Sequence, residues 1–209
     1  MGIINMIFGP NLLYRLIAIV LSLTLHEFGH ALAATMLGDK TPKEQGRLTL
    51  NPFAHLEPLG FILLIIAYFG WAKPVMTNPN RYRISPRFGM MIVAIAGPLM
   101  NFILAMISIA ILNALFLTAA PNNALMTLFS MMASINISLM IFNLIPIPPL
   151  DGWNIVGNLL PRSVLRSTFI ANYARFAPFF LFIFIILPFS SQLIVSTISA
   201  VFGWMSSFL

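Results

Sequence analysis

Apolar residues in this chain gather into long blocks rather than alternating with polar ones. A membrane-spanning helix needs about 20 predominantly apolar residues. Three blocks reach that length: Leu12 to about Leu37, interrupted by Thr24 and by a His26–His30 cluster; about Phe88 to Leu117; and about Ala124 to Ile145. A fourth, about Phe169 to Leu209, is broken by Pro188, Ser190, Ser191 and Gln192 and predicts either one span with an interfacial segment or two spans. Between the first two blocks, Arg47-Leu48-Thr49-Leu50 alternates and meets Asn51-Pro52, which predicts a short strand stopped by a turn. The pattern predicts an all-α integral membrane protein with one domain over residues 1–209. Its core of three spans falls in about 12–160, with a C-terminal membrane segment in about 166–209.

The run Leu59–Ala72 is short for a span, and Pro58 and Pro74 bracket it. Charge decides how it should sit. If it does not cross, Lys40, Lys43, Arg47, Lys73, Arg81, Arg83 and Arg87 share a face with Arg162, Arg166 and Arg175, leaving only Arg15 of the 11 basic residues elsewhere. If it crosses, the first seven are divided between two faces. Lys and Arg accumulate on the cytoplasmic side. The run is therefore expected to be re-entrant, the N-terminus outside, and residues 38–88 and Asp151 near the cytoplasmic face. Arg15 can reach the opposite surface along its own stem.

Composition narrows the class. Of 209 residues, 59% are hydrophobic and 8% charged, with mean hydropathy +0.95. Soluble domains carry roughly a quarter charged residues, so this chain cannot cover a water-facing surface. Cys is absent, which excludes disulfides and thiolate metal sites and leaves His, Asp and Glu as metal donors. The net charge of +6 does not imply nucleic acid, because the basic residues sit in short segments between apolar runs. The first run lacks a basic leader and a small-residue cleavage site, so a retained span is expected rather than a signal peptide.

The chemistry concentrates at His26-Glu27-Phe28-Gly29-His30, an H-E-x-x-H pattern inside the first span. On a helix, positions four apart share a face, so both imidazoles can reach one metal ion with Glu27 beside them as base. Ionisable groups within a span are costly and usually functional; the alternative is a pair of polar helix residues facing a wet cavity or a subunit contact. A third ligand is needed, and Asp39, Glu44, Glu57, Asp151 and His55 are available. Asp39 and Glu44 follow Gly38 among charges and read as solvated. His55 reads as a loop histidine satisfying backbone groups rather than a ligand or a cap, and Glu57 as a surface charge. Asp151 ends the proline-broken stretch Asn143-Leu144-Ile145-Pro146-Ile147-Pro148-Pro149-Leu150-Asp151. Irregular backbone at membrane depth belongs beside protein or a wet cavity, which favours a ligand, although a turn-forming Asp-Gly remains open.

Together these motifs resemble the site-2 protease family of intramembrane metalloproteases. Its H-E-x-x-H matches His26, Glu27 and His30. Its N-x-x-P-x-x-x-L-D-G matches Asn143, Pro146, Leu150, Asp151 and Gly152, and a Gly-Pro followed by a small or polar residue matches Gly97, Pro98 and Asn101. The resemblance covers roughly residues 12–160 and implies one zinc ion held by His26, His30 and Asp151, catalysis by Glu27, and substrate contact by Asn143. It implies three core spans with the metal nearer the cytoplasmic face of a prokaryotic cell membrane. The expected substrates are transmembrane proteins or peptides cut within or near their spans, after unwinding locally and pairing with the 47–50 strand. No stretch is long and polar enough for a PDZ domain, so selection by such a domain is not expected. A metal transporter built on the same ligands, or an idle scaffold binding membrane helices, are the rival readings. Oligomeric state is not legible.

Overall fold

The computed structural model describes residues 11–67, 72–118 and 122–208, and among them every regular element is a helix. Three are long and apolar enough to cross a membrane: α1 (Leu12–Met36), α4 (Pro86–Phe116) and α5 (Asn123–Asn143). At about 1.5 Å per residue their lengths are about 38, 46 and 32 Å, against a hydrocarbon core of about 30 Å. Between α1 and α4 lie the one-turn α2 (Thr41–Glu44) and α3 (Pro58–Ala67). After α5 come α6 (Asp151–Leu159), the short α7 (Arg162–Leu165), α8 (Thr168–Ile186) and α9 (Pro188–Ser206). The C-terminal block is thus two helices of 19 residues each, divided before Pro188.

The spans are turned with polar groups inward and apolar groups outward, as lipid requires. On α4, Ile95, Leu99, Ile103 and Ile107 form an exposed stripe at every fourth position, while Gly97, Asn101 and Ser108 are buried. Leu13, Ile17 and Leu21 repeat this pattern on α1, opposite the buried Ser22 and His26. The helix α4 packs against α1, α5 and α6. His30 meets Val93 and His26 meets Asn101, so α1 and α4 run antiparallel. Small residues allow the close approach: Ala105 and Ala133 are fully buried where α4 meets α5, with Met205 of α9 closing that cluster. The ends at Met36, Pro86 and Asn143 consequently lie on one side, which also carries the loop lysines and arginines.

Two expectations about the loop between α1 and α4 need correction. Residues 47–50 are not a strand. Side-chain contacts within the same loop fix its course instead. Arg47 Nη1 folds back to donate to the Ala54 carbonyl, His55 Nε2 donates to the Thr49 carbonyl at 2.8 Å, and Asn51 N donates to Thr49 Oγ1 at 3.2 Å. With the Thr49 carbonyl taken by His55 and the Arg47 N–H donating to the Pro42 carbonyl at 2.8 Å, the strand expected to pair with substrate at 47–50 is not formed. Asp39 is not solvated either. It is fully buried and accepts from Thr41 N, Thr41 Oγ1 and Asn78 N at 2.9, 2.5 and 2.6 Å, stapling residues 72–85 to the end of α1. Glu44 is exposed, as expected, and pairs with Arg81 at 2.9 Å.

The run Leu59–Ala72 overlaps α3, whose ten described residues have a length of about 15 Å. Residues 68–71 lie outside the described segments. Leu56 and Ala72 form an antiparallel bridge, and Lys73 N donates to the His55 carbonyl at 2.8 Å. The two ends of the excursion are therefore side by side.

Candidate metal centre

His26 and His30 stand one turn apart on α1 and, with Glu27, are buried. Each ring has its Nδ1 fixed by a partner of known sense. His30 Nδ1 lies 2.7 Å from the carbonyl oxygen of Val93, which can only accept, so this nitrogen carries the proton. His26 Nδ1 lies 2.6 Å from Asn101 Oδ1. The Asn101 amide is oriented by its other end, where Nδ2 donates to the Ser22 carbonyl at 3.3 Å and to Asn136 Oδ1 at 2.8 Å. His26 therefore also carries its proton on Nδ1. Both Nε2 atoms are left with bare lone pairs.

Those lone pairs face each other at 3.1 Å, and Asp151 Oδ2 lies 3.2 Å from one and 3.3 Å from the other. Three acceptors converge with no hydrogen between them, and the buried Asp151 Oδ2 has no hydrogen-bond donor. Electrostatics makes such a cluster costly unless a cation lies among its members. The spacing fits zinc: ligands about 2.0–2.1 Å from a tetrahedral centre are about 3.3–3.4 Å from one another. Among the described residues this is the group of His, Asp and Glu side chains able to share a metal ion. His55 is not part of it.

Local backbone explains how these atoms meet. A Cβ on Gly97 would lie 2.4 Å from His30 Nε2 and 2.7 Å from His26 Cε1, so glycine leaves the space that both rings fill. Asn101 follows one turn later on the same face of α4. Asp151 arrives because α5 stops at Asn143 and the proline loop doubles back. A Cβ on Gly152 would lie 2.3 Å from the Leu144 carbonyl oxygen and 2.5 Å from that of Ile145. Of the carbonyls in this loop, that of Pro146 accepts from Tyr173 Oη of α8 at 3.0 Å.

His26, Glu27, His30, Asn143 and Asp151 all line one cavity of about 430 Å³. Asn143 Nδ2 donates to the Leu139 carbonyl at 3.0 Å. Glu27 points towards the segment 72–78, where Val75 N donates to its Oε2 at 3.2 Å. The arrangement brings together two imidazoles and a carboxylate able to share a metal ion, an adjacent carboxylate and an amide at the wall of the cavity. Sequence reasoning did not single out Val75, Ser22 or Asn136. Nothing in the pattern marks Val75, since it acts through its backbone. Asn136 had a readable signal as an amide in the middle of the third apolar run, where polar side chains are costly.

The sequence profile of peptidase family M50 matches residues 14–120 and 113–185. YwhC of Bacillus subtilis, named as a candidate zinc metalloprotease, is 44% identical over 156 residues, which are 72% of this chain and 71% of that protein. Rip2 of Mycobacterium tuberculosis, named in the same way, is 32% identical over 173 residues, 81% of this chain and 65% of Rip2. Rip2 of Mycolicibacterium smegmatis is 33% identical over 138 residues, 64% of this chain and 52% of that protein. No solved structure matches the chain.

Proposed function

The chain belongs to peptidase family M50, a zinc metalloprotease of the site-2 type, and on that premise we propose that His26, His30 and Asp151 hold its zinc, Glu27 is its general base and Asn143 contacts its substrate. The observation that carries this assignment is the convergence of two bare Nε2 lone pairs and an unpartnered carboxylate oxygen within 3.1–3.3 Å. Zinc, when bound, supplies Lewis acidity that polarises the scissile carbonyl and acidifies water. Glu27 takes the proton of the attacking water and returns it to the leaving amine, as its place beside both histidines allows. Val75 N–H holds the Glu27 carboxylate by one oxygen and leaves the other for this transfer. Asn143 offers its amide to the substrate backbone at the wall of the same cavity.

The substrates are transmembrane segments that unwind where the cavity receives them. His26 and His30 lie 10 and 6 residues from the Met36 end of α1, so the site is nearer that end, and the Lys and Arg residues beyond it make it cytoplasmic. We read the run Leu59–Ala72, of which 59–67 and 72 are described, as re-entrant, and the antiparallel bridge between Leu56 and Ala72 supports that reading.

The test is Glu27→Gln in vesicles reconstituted with a fluorogenic single-span reporter. Cleavage should fall at least ~10²-fold while bound zinc stays at one per chain. Undiminished cleavage would remove Glu27 from the mechanism. Zinc flux into the vesicles, unaffected by Glu27→Gln and without any proteolysis, would favour a transporter instead.

A further inference from the structure

Behind the metal ligands, and apart from the cavity, lies a polar cluster made by one residue from each span. Ser22 of α1, Asn101 of α4 and Asn136 of α5 are all fully buried, and none lines the cavity. Its hydrogen bonds have a single consistent sense because main-chain carbonyls anchor it. Asn136 Nδ2 donates to the Met132 carbonyl at 2.8 Å and to Ser22 Oγ at 2.7 Å, and Ser22 Oγ donates in turn to the Ala18 carbonyl at 2.6 Å. With its Nδ2 so fixed, Asn136 presents Oδ1 to Asn101 Nδ2 at 2.8 Å. Asn101 must then present Oδ1 to His26 Nδ1.

An amide has two chemically different ends of nearly equal shape. Were the Asn101 amide reversed, its NH₂ would face His26 Nδ1, which would have to accept. The imidazole proton would then sit on Nε2, the atom facing His30 and Asp151, and a protonated Nε2 cannot bind a metal. We infer that Asn136, seated by Ser22, is a positioning residue for the zinc site: it locks the Asn101 amide in the sense that keeps the His26 Nε2 lone pair free for the metal. This rests on the assignment of His26 as a zinc ligand. The Ser22 carbonyl, at 3.3 Å from Asn101 Nδ2, is the weaker restraint on that amide.

A helix-packing role for Asn136 makes a different prediction, and the double mutant separates the two. Zinc affinity of the full chain in detergent is measured by competition with a chromophoric chelator. Asn136→Leu should weaken zinc about tenfold, the scale for groups that orient a ligand. Asn101→Asp removes the dependence on amide orientation, because a carboxylate offers His26 an oxygen whichever way it turns, and its own affinity is the reference for the second substitution. In the Asn101→Asp background, Asn136→Leu should cost nothing or even tighten binding, since it removes an oxygen that faces the carboxylate. Equal losses in both backgrounds, or none in either, would overturn the inference. If Asn136→Leu does not fold, Ser22→Ala repeats the comparison with a smaller loss that again requires Asn101. Failure of the underlying assignment reads differently: wild type would bind no zinc, or His26→Ala would leave its affinity unchanged.

Discussion

Gly97→Ala tests the geometry of the site with a single methyl group. Its Cβ would lie 2.4 and 2.5 Å from Nε2 and Cε1 of His30 and 2.7 Å from Cε1 of His26. Ordinary contact needs about 3.5 Å, so at least one imidazole must retreat by about 1 Å. A zinc ligand tolerates displacement of about 0.2 Å, and the site should lose a ligand. Two terms act on stability in opposite directions: overpacking costs about 1–3 kcal/mol, while Ala in place of Gly within a helix contributes about 0.8–1 kcal/mol. The net loss of about 0–2 kcal/mol leaves a folded protein. Zinc affinity should nevertheless fall at least ~10²-fold. The assay is zinc content of the purified protein by mass spectrometry, followed by chelator competition, alongside thermal unfolding. A variant holding one zinc per chain at wild-type affinity would refute the placement of both rings over Gly97.

Three further outcomes are expected. Val75→Pro deletes one N–H, the donor to Glu27 Oε2, and should lower cleavage about 10- to 100-fold, given about 1.5–3 kcal/mol for a charge-assisted hydrogen bond, with zinc content unchanged; unaltered cleavage would make that contact irrelevant. Burial acts to raise the Asp39 carboxyl, but hydrogen bonds from Asn78 and Thr41 and the charge of Arg81 outweigh it and hold its pKa below the ordinary value. Its stabilisation is therefore complete above the ordinary carboxylate range and is lost as pH falls through the lowered folded value, so Asp39→Asn should reduce Tm at neutral pH and flatten its acid dependence; a parallel acid decline in wild type and variant would contradict this. Single cysteines placed at Phe53 and at Lys73, in a chain that has none, should react with an impermeant thiol reagent from one face only, and labelling from opposite faces would exclude the re-entrant excursion.

The spans were legible because lipid imposes one rule along a whole segment. Expected limits of about Phe88–Leu117 and Ala124–Ile145 became Pro86–Phe116 and Asn123–Asn143. The convergence of His26, His30 and Asp151 was legible because two histidines are expensive in a span and Asp151 follows a proline break. Residues 47–50 misled because alternation over four residues has no strength against local partners. Arg47 and His55 use the carbonyls of Ala54 and Thr49, and no periodicity reports such contacts. Asp39 misled because charge in the sequence says nothing of the three donors, one of them 39 residues away, that make its burial tolerable.

The proline break is a requirement of the site rather than a loose end of α5. Had α5 continued from Asn143 as a helix, residue 151 would stand about 12 Å further along its axis. His26 and His30 lie 10 and 6 residues short of the end of α1, at the depth of Val93 and Asn101 on α4. A carboxylate on a continued α5 would pass them by towards the basic loops. Folding back at residues 144–150 returns the chain to their level, and Gly152 permits it because a side chain there would strike the carbonyls of Leu144 and Ile145. Such a turn exposes main-chain groups that lipid cannot satisfy. The Ile147 N–H finds the Ile145 carbonyl at 2.8 Å, the Leu150 N–H finds that of Ile147 at 2.9 Å, and Tyr173 meets Pro146. The three prolines have no N–H to satisfy. Helix α8 thus has a stated part in the centre although it supplies no ligand: its tyrosine holds the loop that delivers Asp151. Loss of that hydroxyl in Tyr173→Phe should therefore weaken zinc binding several-fold through the loop.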